Sequence, residues 1–231
     1  MIDFQNILEF LRTPHVPWRI IHRVKPISPK LARILTYGRI NPNTQKYWNQ
    51  RYLSGKYEQA EDSRYNDLRK EILKRVPCRS KVLDVGCGTG KLMEILRTHN
   101  NCECIGVDIS EVAVKIVQQK GFEAFQCKVP SFPVKLATDT FDVCTMTEIL
   151  EHLDDPLAVL KRVSDLVNPG GLVIATVPEK CMKPEEFDEH MHSFSQKSLC
   201  ALMGSVYIVE QCQTVVIAEH NYLLVCARNA K

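Results

Sequence analysis

Val82-Leu83-Asp84-Val85-Gly86-Cys87-Gly88-Thr89-Gly90 is the stretch on which the reading of this chain turns. An apolar run of strand character carries one acid and then breaks into three glycines within five residues, in a chain with ten glycines among 231 residues. A strand that ends in a turn without β-carbons lets the backbone lie against a ligand. The helix that follows offers unpaired N–H groups to a carboxylate. A tight turn that needs glycine for geometry alone would explain the loop, but not the acid downstream. Asp108 closes the next apolar run, Ile105-Gly106-Val107-Asp108, where a carboxylate can accept hydrogen bonds from both hydroxyls of a ribose. The expected ligand therefore contains a nucleoside. Dinucleotide sites use G-x-G-x-x-G to approach a pyrophosphate. Here the spacing is G-x-G-x-G, and Asp84 just before it would repel phosphate.

From this stretch outward, strand-like runs at Val82–Val85, Cys104–Val107, Glu123–Cys127, Phe141–Met146 and Leu172–Val177 alternate with helical patterns. Ser110 opens a helix over Val112–Gln119 and Asp155-Pro156 opens one over Leu157–Val167, each with a capping residue. Leu68, Ile72, Leu73 and Val76 recur at helical spacing just before Pro77, which predicts an amphipathic helix over 65–76. This βαβ alternation predicts an α/β fold, a parallel sheet with helices on both faces. Val206–Glu210 and Val215–Ala218 read as one long or bulged strand, and Tyr222–Ala227 follows after His220-Asn221, so the two should pair as a hairpin.

Residues 1–45 differ from the rest. Ile2, Phe4, Ile7, Leu8, Phe10 and Leu11 mix with basic residues and prolines without a strand period, which reads as an N-terminal helical extension to a domain at 46–231. The first 40 residues hold seven Lys/Arg and two Asp/Glu, a charge of +5 in a chain of net +3, so the remainder carries −2. A solvated basic face is the commoner explanation. Docking on an acidic surface or attraction of phosphate-bearing substrates is the other.

Hydrophobic residues at 45% and charged residues at 25% exclude disordered, collagen-like and disulfide-scaffold classes. No run approaches the roughly 18 apolar residues of a spanning helix, and the N-terminus has no charged start with an apolar block and cleavage site. The ten cysteines are scattered, many inside apolar runs, and read as reduced thiols. Cys102 and Cys104 lie close together but lack the second ligand pair of a zinc site. The expected compartment is the cytoplasm, with no membrane span.

The motifs resemble those of the class I S-adenosylmethionine-dependent methyltransferases over roughly residues 45–228. The family's first motif looks like Leu83–Gly90, and its second ends in an acid like Asp108. Further landmarks are Phe141-Asp142-Val143, Asn168-Pro169-Gly170-Gly171 and the final hairpin. The resemblance implies a Rossmann-like seven-stranded sheet, mostly parallel with an antiparallel last strand, and S-adenosyl-L-methionine as cofactor. It places Asp84, Gly86, Gly88 and Gly90 around the methionine part and Asp108 at the ribose. Cys87, Ile109 and Thr147 complete the expected cofactor site. Tyr47 joins them from the segment Lys46-Tyr47-Trp48-Asn49-Gln50-Arg51-Tyr52, which resembles one that closes over the cofactor in relatives; simple helix packing is the alternative. Where family members often carry an acid near the adenine amine, this chain reads Gln126-Cys127-Lys128-Val129-Pro130. Adenine contacts there fall to the backbone, Cys127 or Val129.

After the fourth strand comes Thr147-Glu148-Ile149-Leu150-Glu151-His152-Leu153-Asp154-Asp155. If helical, Glu148, Glu151 and His152 share one face at the carboxyl edge of the sheet, toward the acceptor. In one reading His152 is a general base or orienter for an acceptor hydroxyl, with Glu148 and His192 beside it. In another, Glu148, Glu151 and His152 with His190 or His192 hold Mg²⁺ or Mn²⁺ that acidifies the hydroxyl. A pocket wall without chemistry is the third. The E-x-x-E-H string resembles ubiquinone-biosynthesis-type O-methyltransferases and metal-dependent enzymes that methylate the terminal 2′-hydroxyl of small RNAs. Family members often show a histidine before an F-S segment, which His192 matches better than His190.

The leading expectation is O-methylation of a small molecule, lipid-like precursor or glycan. The alternatives are a metal-dependent RNA ribose 2′-O-methyltransferase using Glu148, Glu151, His152 and His192, and a non-catalytic cofactor-binding regulatory subunit. The acceptor and the oligomeric state stay open.

Overall fold

Each strand-like run becomes a strand of one sheet in the computed structural model, which describes residues 41–55, 65–179, 189–217 and 220–231. The strands are β1 (Lys81–Val85), β2 (Glu103–Asp108), β3 (Glu123–Gln126), β4 (Phe141–Thr147), β5 (Val167–Pro178), β6 (Tyr207–Ile217) and β7 (His220–Asn229). Their order is β3-β2-β1-β4-β5-β7-β6. β3, β2, β1, β4 and β5 pair in parallel, while β7 runs antiparallel to both β5 and β6. The bulge read in the penultimate strand is a register shift between Val209 and Gln211. His220 and Asn221, read as the turn, already belong to β7.

Helices α1 (Gln45–Leu53), α2 (Asn66–Leu73), α3 (Lys91–Asn100), α4 (Glu111–Gln119), α5 (Val134–Ala137), α6 (Pro156–Ser164) and α7 (Gln196–Gly204) surround the sheet. Local chemistry sets their starts. Ser110 accepts a hydrogen bond from the Ala113 N–H, Asp155 accepts one from Ala158, and Thr44 accepts one from Tyr47. Two ends are shorter than expected. α2 stops at Leu73, ahead of Pro77. α6 stops at Ser164, because Val167 pairs with Phe141 in the sheet and Asn229 Nδ2 takes up the carbonyls of Ser164 and Val167 at 3.0 and 2.7 Å.

The period of two along each strand divides the core. Leu83 and Val85 of β1 face a cluster with Val159, Leu160 and Val163 of α6 and Leu199 and Met203 of α7. Val82 faces the opposite cluster, with Leu68 and Ile72 of α2, Met93 and Leu96 of α3, and Val114 and Val117 of α4. A strand buried on both faces needs the continuous apolar run seen in the sequence, and full burial of such a side chain contributes roughly 1.5–3 kcal/mol. The nine described cysteines are all free thiols. Among the described residues no helix is long and apolar enough to cross a membrane. Of the helical extension read over residues 1–45, residues 1–40 lie outside the described residues, while 41–44 are not helical and lead into α1 at Gln45.

Candidate active site

The strand order reverses between β1 and β4, and beyond their carboxyl ends lies a crevice of about 280 Å³. Open parallel sheets bind ligands at this switch point because the connections leaving the two strands diverge there. Asp84, Gly86, Cys87, Gly88, Asp108, Ile109 and Thr147 all line it, whereas Gly90 does not and instead caps the start of α3, set against Val117.

The glycine loop is tied to β2 by the N–H groups of Gly86 and Cys87, which donate to the Val107 carbonyl at 2.8 and 3.0 Å. Gly86 has φ +75 and Gly88 φ +52, the left-handed region open to glycine. A β-carbon on Gly86 would also lie 2.7 Å from Ile149 Cδ1. Backbone geometry alone is thus a sufficient cause for these glycines, and the ligand argument rests on the acids. Asp108 accepts the Gly88 N–H on Oδ2 at 3.0 Å and the Ser110 N–H on Oδ1 at 2.8 Å. A carboxylate offers about four acceptor positions, so capacity remains on both oxygens for a pair of ribose hydroxyls. Asp84 accepts from Thr145 Oγ1 at 2.7 Å and is 1% exposed. Burial pushes both carboxyls up to about 6; for Asp84 the neighbouring Asp108 adds to it.

Trp48 and Tyr52 bring the aromatic surface of α1 to the crevice. Tyr47, the residue expected there, points its hydroxyl at Glu189 Oε2 instead, 3.2 Å away. Arg69 of α2 was missed. It is 9% exposed, lines the crevice and acts electrostatically on Asp84. Its signal was a charged residue beside Leu68 and Ile72 on the buried face of α2. At the far end Cys127, Lys128, Val129 and Pro130 form the wall, and burial pushes the Cys127 thiol up to about 12.

The acceptor edge is not helical in the expected way. Glu148 has φ +53, and only Leu150–His152 makes a short 3-10 turn. The reason is a tertiary contact. The Glu148 N–H donates to the Thr176 carbonyl at 3.0 Å, and Thr176 Oγ1 donates to Glu148 Oε1 at 2.9 Å, so Glu148 continues the pairing of β4 with β5. Glu151, 1% exposed, has no hydrogen-bond partner among the described residues on either carboxylate oxygen. His152 Nδ1 lies 3.0 Å from the Glu189 carbonyl, and its Nε2 is 3.9 Å from Glu151 Oε1. The His190 ring meets that of His152 edge-on, centroids 4.8 Å apart. Glu151, His152 and His190 present ligand atoms within 4.8 Å of one another. His192, the histidine preferred from sequence, lies elsewhere: its Nε2 is 2.8 Å from the Leu153 carbonyl. The N–H groups of Met191 and His192 are both pinned to the Glu151 carbonyl, which sets His190 into the cluster. Burial pushes the Glu151 carboxyl well up, helped by Glu148, and holds both histidines down at about 4. All three groups are driven toward their neutral forms.

The sequence profile of methyltransferase domains matches residues 56–206. The chain therefore belongs to that family, the class I S-adenosylmethionine-dependent methyltransferases. Among named relatives, the ubiquinone biosynthesis O-methyltransferase of Leptothrix cholodnii is 31% identical over 136 residues, 56% of this chain and 52% of that protein. The chain spans about half the length of the curated relatives it matches first. Similar folds include the methyltransferase in complex with the Trm112 methyltransferase activator of Haloferax volcanii, with TM-score 0.70 and 15% identity over 80% of this chain and 98% of that one. Another is the N-methyltransferase NodS of Bradyrhizobium japonicum bound to S-adenosyl-L-homocysteine, with TM-score 0.61 and 17% identity over 75% and 91%. At these identities the solved structures speak for the fold.

Proposed function

We propose that the chain transfers a methyl group from S-adenosylmethionine to an oxygen of a small-molecule, lipid-like or glycan acceptor. The observation that carries the cofactor half is Asp108, whose two oxygens each hold one backbone N–H and keep acceptor capacity at the crevice. Asp84 and the glycine loop would border the methionine part, and the buried Arg69 guanidinium is the group suited to its carboxylate. The cofactor supplies a sulfonium-bound methyl group for in-line displacement. The chain's own work is then to align the acceptor, exclude water and receive a proton. Support for oxygen as the acceptor comes from relatives named O-methyltransferases. His152, with Nδ1 turned to a carbonyl, offers its Nε2 lone pair to an acceptor hydroxyl. Asp108→Ala should weaken S-adenosylmethionine binding by about 100-fold, since it removes hydrogen bonds to a charged group, as read by calorimetry. Unchanged binding would reject the reading. Labelled cofactor incubated with a cell extract reads the transfer, which His152→Ala should depress.

A second reading adds a divalent cation, favoured by the Glu151 oxygens, which have no hydrogen-bond partner among the described residues and lie beside His152 and His190. A histidine held down at about 4 is a weak base by itself, whereas a bound cation would acidify the acceptor hydroxyl directly. The ligand set would be Glu151, His152 and His190, with Glu148 close by, rather than one including His192. Chelation should then abolish transfer, and Mg²⁺ or Mn²⁺ should restore it. Activity indifferent to both would remove the cation. We place the start of the domain at or before Asn41, because Asn41 and Asn43 both bond the His152 carbonyl.

A further inference from the structure

Glu189 bonds both to α1 and to His152, behind the crevice wall. Its carboxylate accepts from Tyr47 Oη at 3.2 Å and from Arg51 Nη2 at 3.1 Å, both on α1. Its backbone carbonyl accepts from Asn43 Nδ2 at 2.7 Å and lies 3.0 Å from His152 Nδ1. The Glu189 side chain is 8% exposed and that of Arg51 41%, so the carboxylate is withdrawn from water while its ion pair stays partly screened. A carbonyl oxygen has no proton to give. The contact therefore requires Nδ1 to carry the hydrogen and leaves the lone pair on Nε2. α1 meanwhile carries Trp48 and Tyr52 to the crevice and sets Trp48 edge-on against His152, ring centroids 5.2 Å apart. One residue thus joins the helix that walls the cofactor crevice to the imidazole at the acceptor edge.

We propose that Glu189 is a positioning residue that couples the docking of α1 over the crevice to the orientation and tautomer of His152; the proposal rests on the cofactor reading above. With the carboxylate in place, α1 and the Glu189 backbone are held to each other. His152 then finds its acceptor carbonyl only when the aromatic wall is seated. Removing the carboxylate takes away its two bonds to α1 and leaves Asn43 as the bridge between that helix and the Glu189 carbonyl, so cofactor affinity and the state of the imidazole change in step. Neither change is expected of a side chain that merely fills space.

The 231-residue chain labelled with ¹⁵N-histidine, its His152 signals identified from His152→Gln, is titrated with S-adenosylmethionine by calorimetry and followed by NMR. Wild type should bind and show His152 protonated on Nδ1. Glu189→Ala should bind about tenfold more weakly, the usual loss for a charge-assisted hydrogen bond, and should shift His152 toward the Nε2–H form. Glu189→Gln keeps one acceptor oxygen and should fall between the two. If Glu189→Ala does not fold, Arg51→Gln and Tyr47→Phe carry the test from the α1 side, with the same two changes expected in smaller measure. Unaltered affinity, or His152 left in its wild-type tautomer, overturns the proposal. Failure of the wild-type chain to bind the cofactor overturns the cofactor reading instead.

Discussion

Asp84 gives up its hydration on folding and receives one hydrogen bond from Thr145 in return. Its carboxyl, near 3.8 when unperturbed, sits at about 6 in the fold, so between about pH 4 and 6 the folded chain keeps a proton that the unfolded chain releases. The stability tied to the neutral acid is fully present below pH 4 and is lost as the pH rises through 6. Asp84→Asn keeps an acceptor for Thr145 without the charge. Differential scanning calorimetry of the ligand-free variant at pH 7.5 should show a gain of about 1–3 kcal/mol over wild type, fading below pH 4, together with weaker S-adenosylmethionine binding. Equal stability at pH 7.5 would contradict the cost of burying this charge. Both acids could be read from sequence because each stands at or beside a strand end, and topology delivers those positions to the crevice. Tyr47 lies off the crevice for the opposite reason. A one-residue rotation of a helix is about 100°, and the partners that fix it, Glu189 among them, are distant in sequence.

The loop after β1 and the turn after β4 depend on each other. Ile149 sits where a β-carbon on Gly86 would go, which it can do because Glu148, the last residue paired to β5, takes a left-handed φ and turns the chain there. Gly86→Ala should therefore destabilise the chain by about 1–3 kcal/mol through backbone strain and collision, read by urea unfolding. Ile149→Ala in the same background should recover the collision part and leave the strain. A Gly86→Ala chain as stable as wild type would mean that the loop relaxes freely. The five parallel strands and their capped helices were legible because period, length and caps agree locally. The run from Glu148 to His152 was not, since its i, i+3, i+4 spacing is that of a helix. Only the bond from its first N–H to Thr176, on another strand, overrides it. A separate long-range contact, the Met191 and His192 N–H groups on the Glu151 carbonyl, brings His190 rather than His192 to the cluster.

Across the molecule, the segment that precedes α1 is a strap rather than a linker. Asn43 Nδ2 donates to the carbonyls of His152 and Glu189, and Asn43 Oδ1 accepts from Trp48 Nε1 at 3.1 Å. Two truncations separate this strap from what lies before it. A chain beginning at Asn41 should bind S-adenosylmethionine more tightly than one beginning at Gln45, by up to about 100-fold, because the second lacks three buried hydrogen bonds worth about 1 kcal/mol each. Equal affinities would place the domain boundary at the position first read from composition. That boundary was drawn where basic and proline-rich sequence gives way to helix, and two asparagines in a loop carry no pattern that announces a contact more than 100 residues away.

The position of β7 bears on synthesis. It lies between β5 and β6 although it follows both in the chain. On the ribosome β6 emerges before any strand it can pair with, and the growing sheet waits with the edge of β5 open. The second half of the sheet must therefore assemble only after β7 has cleared the exit tunnel. A nascent chain stalled between β6 and β7 would expose two unpaired edges to its neighbours.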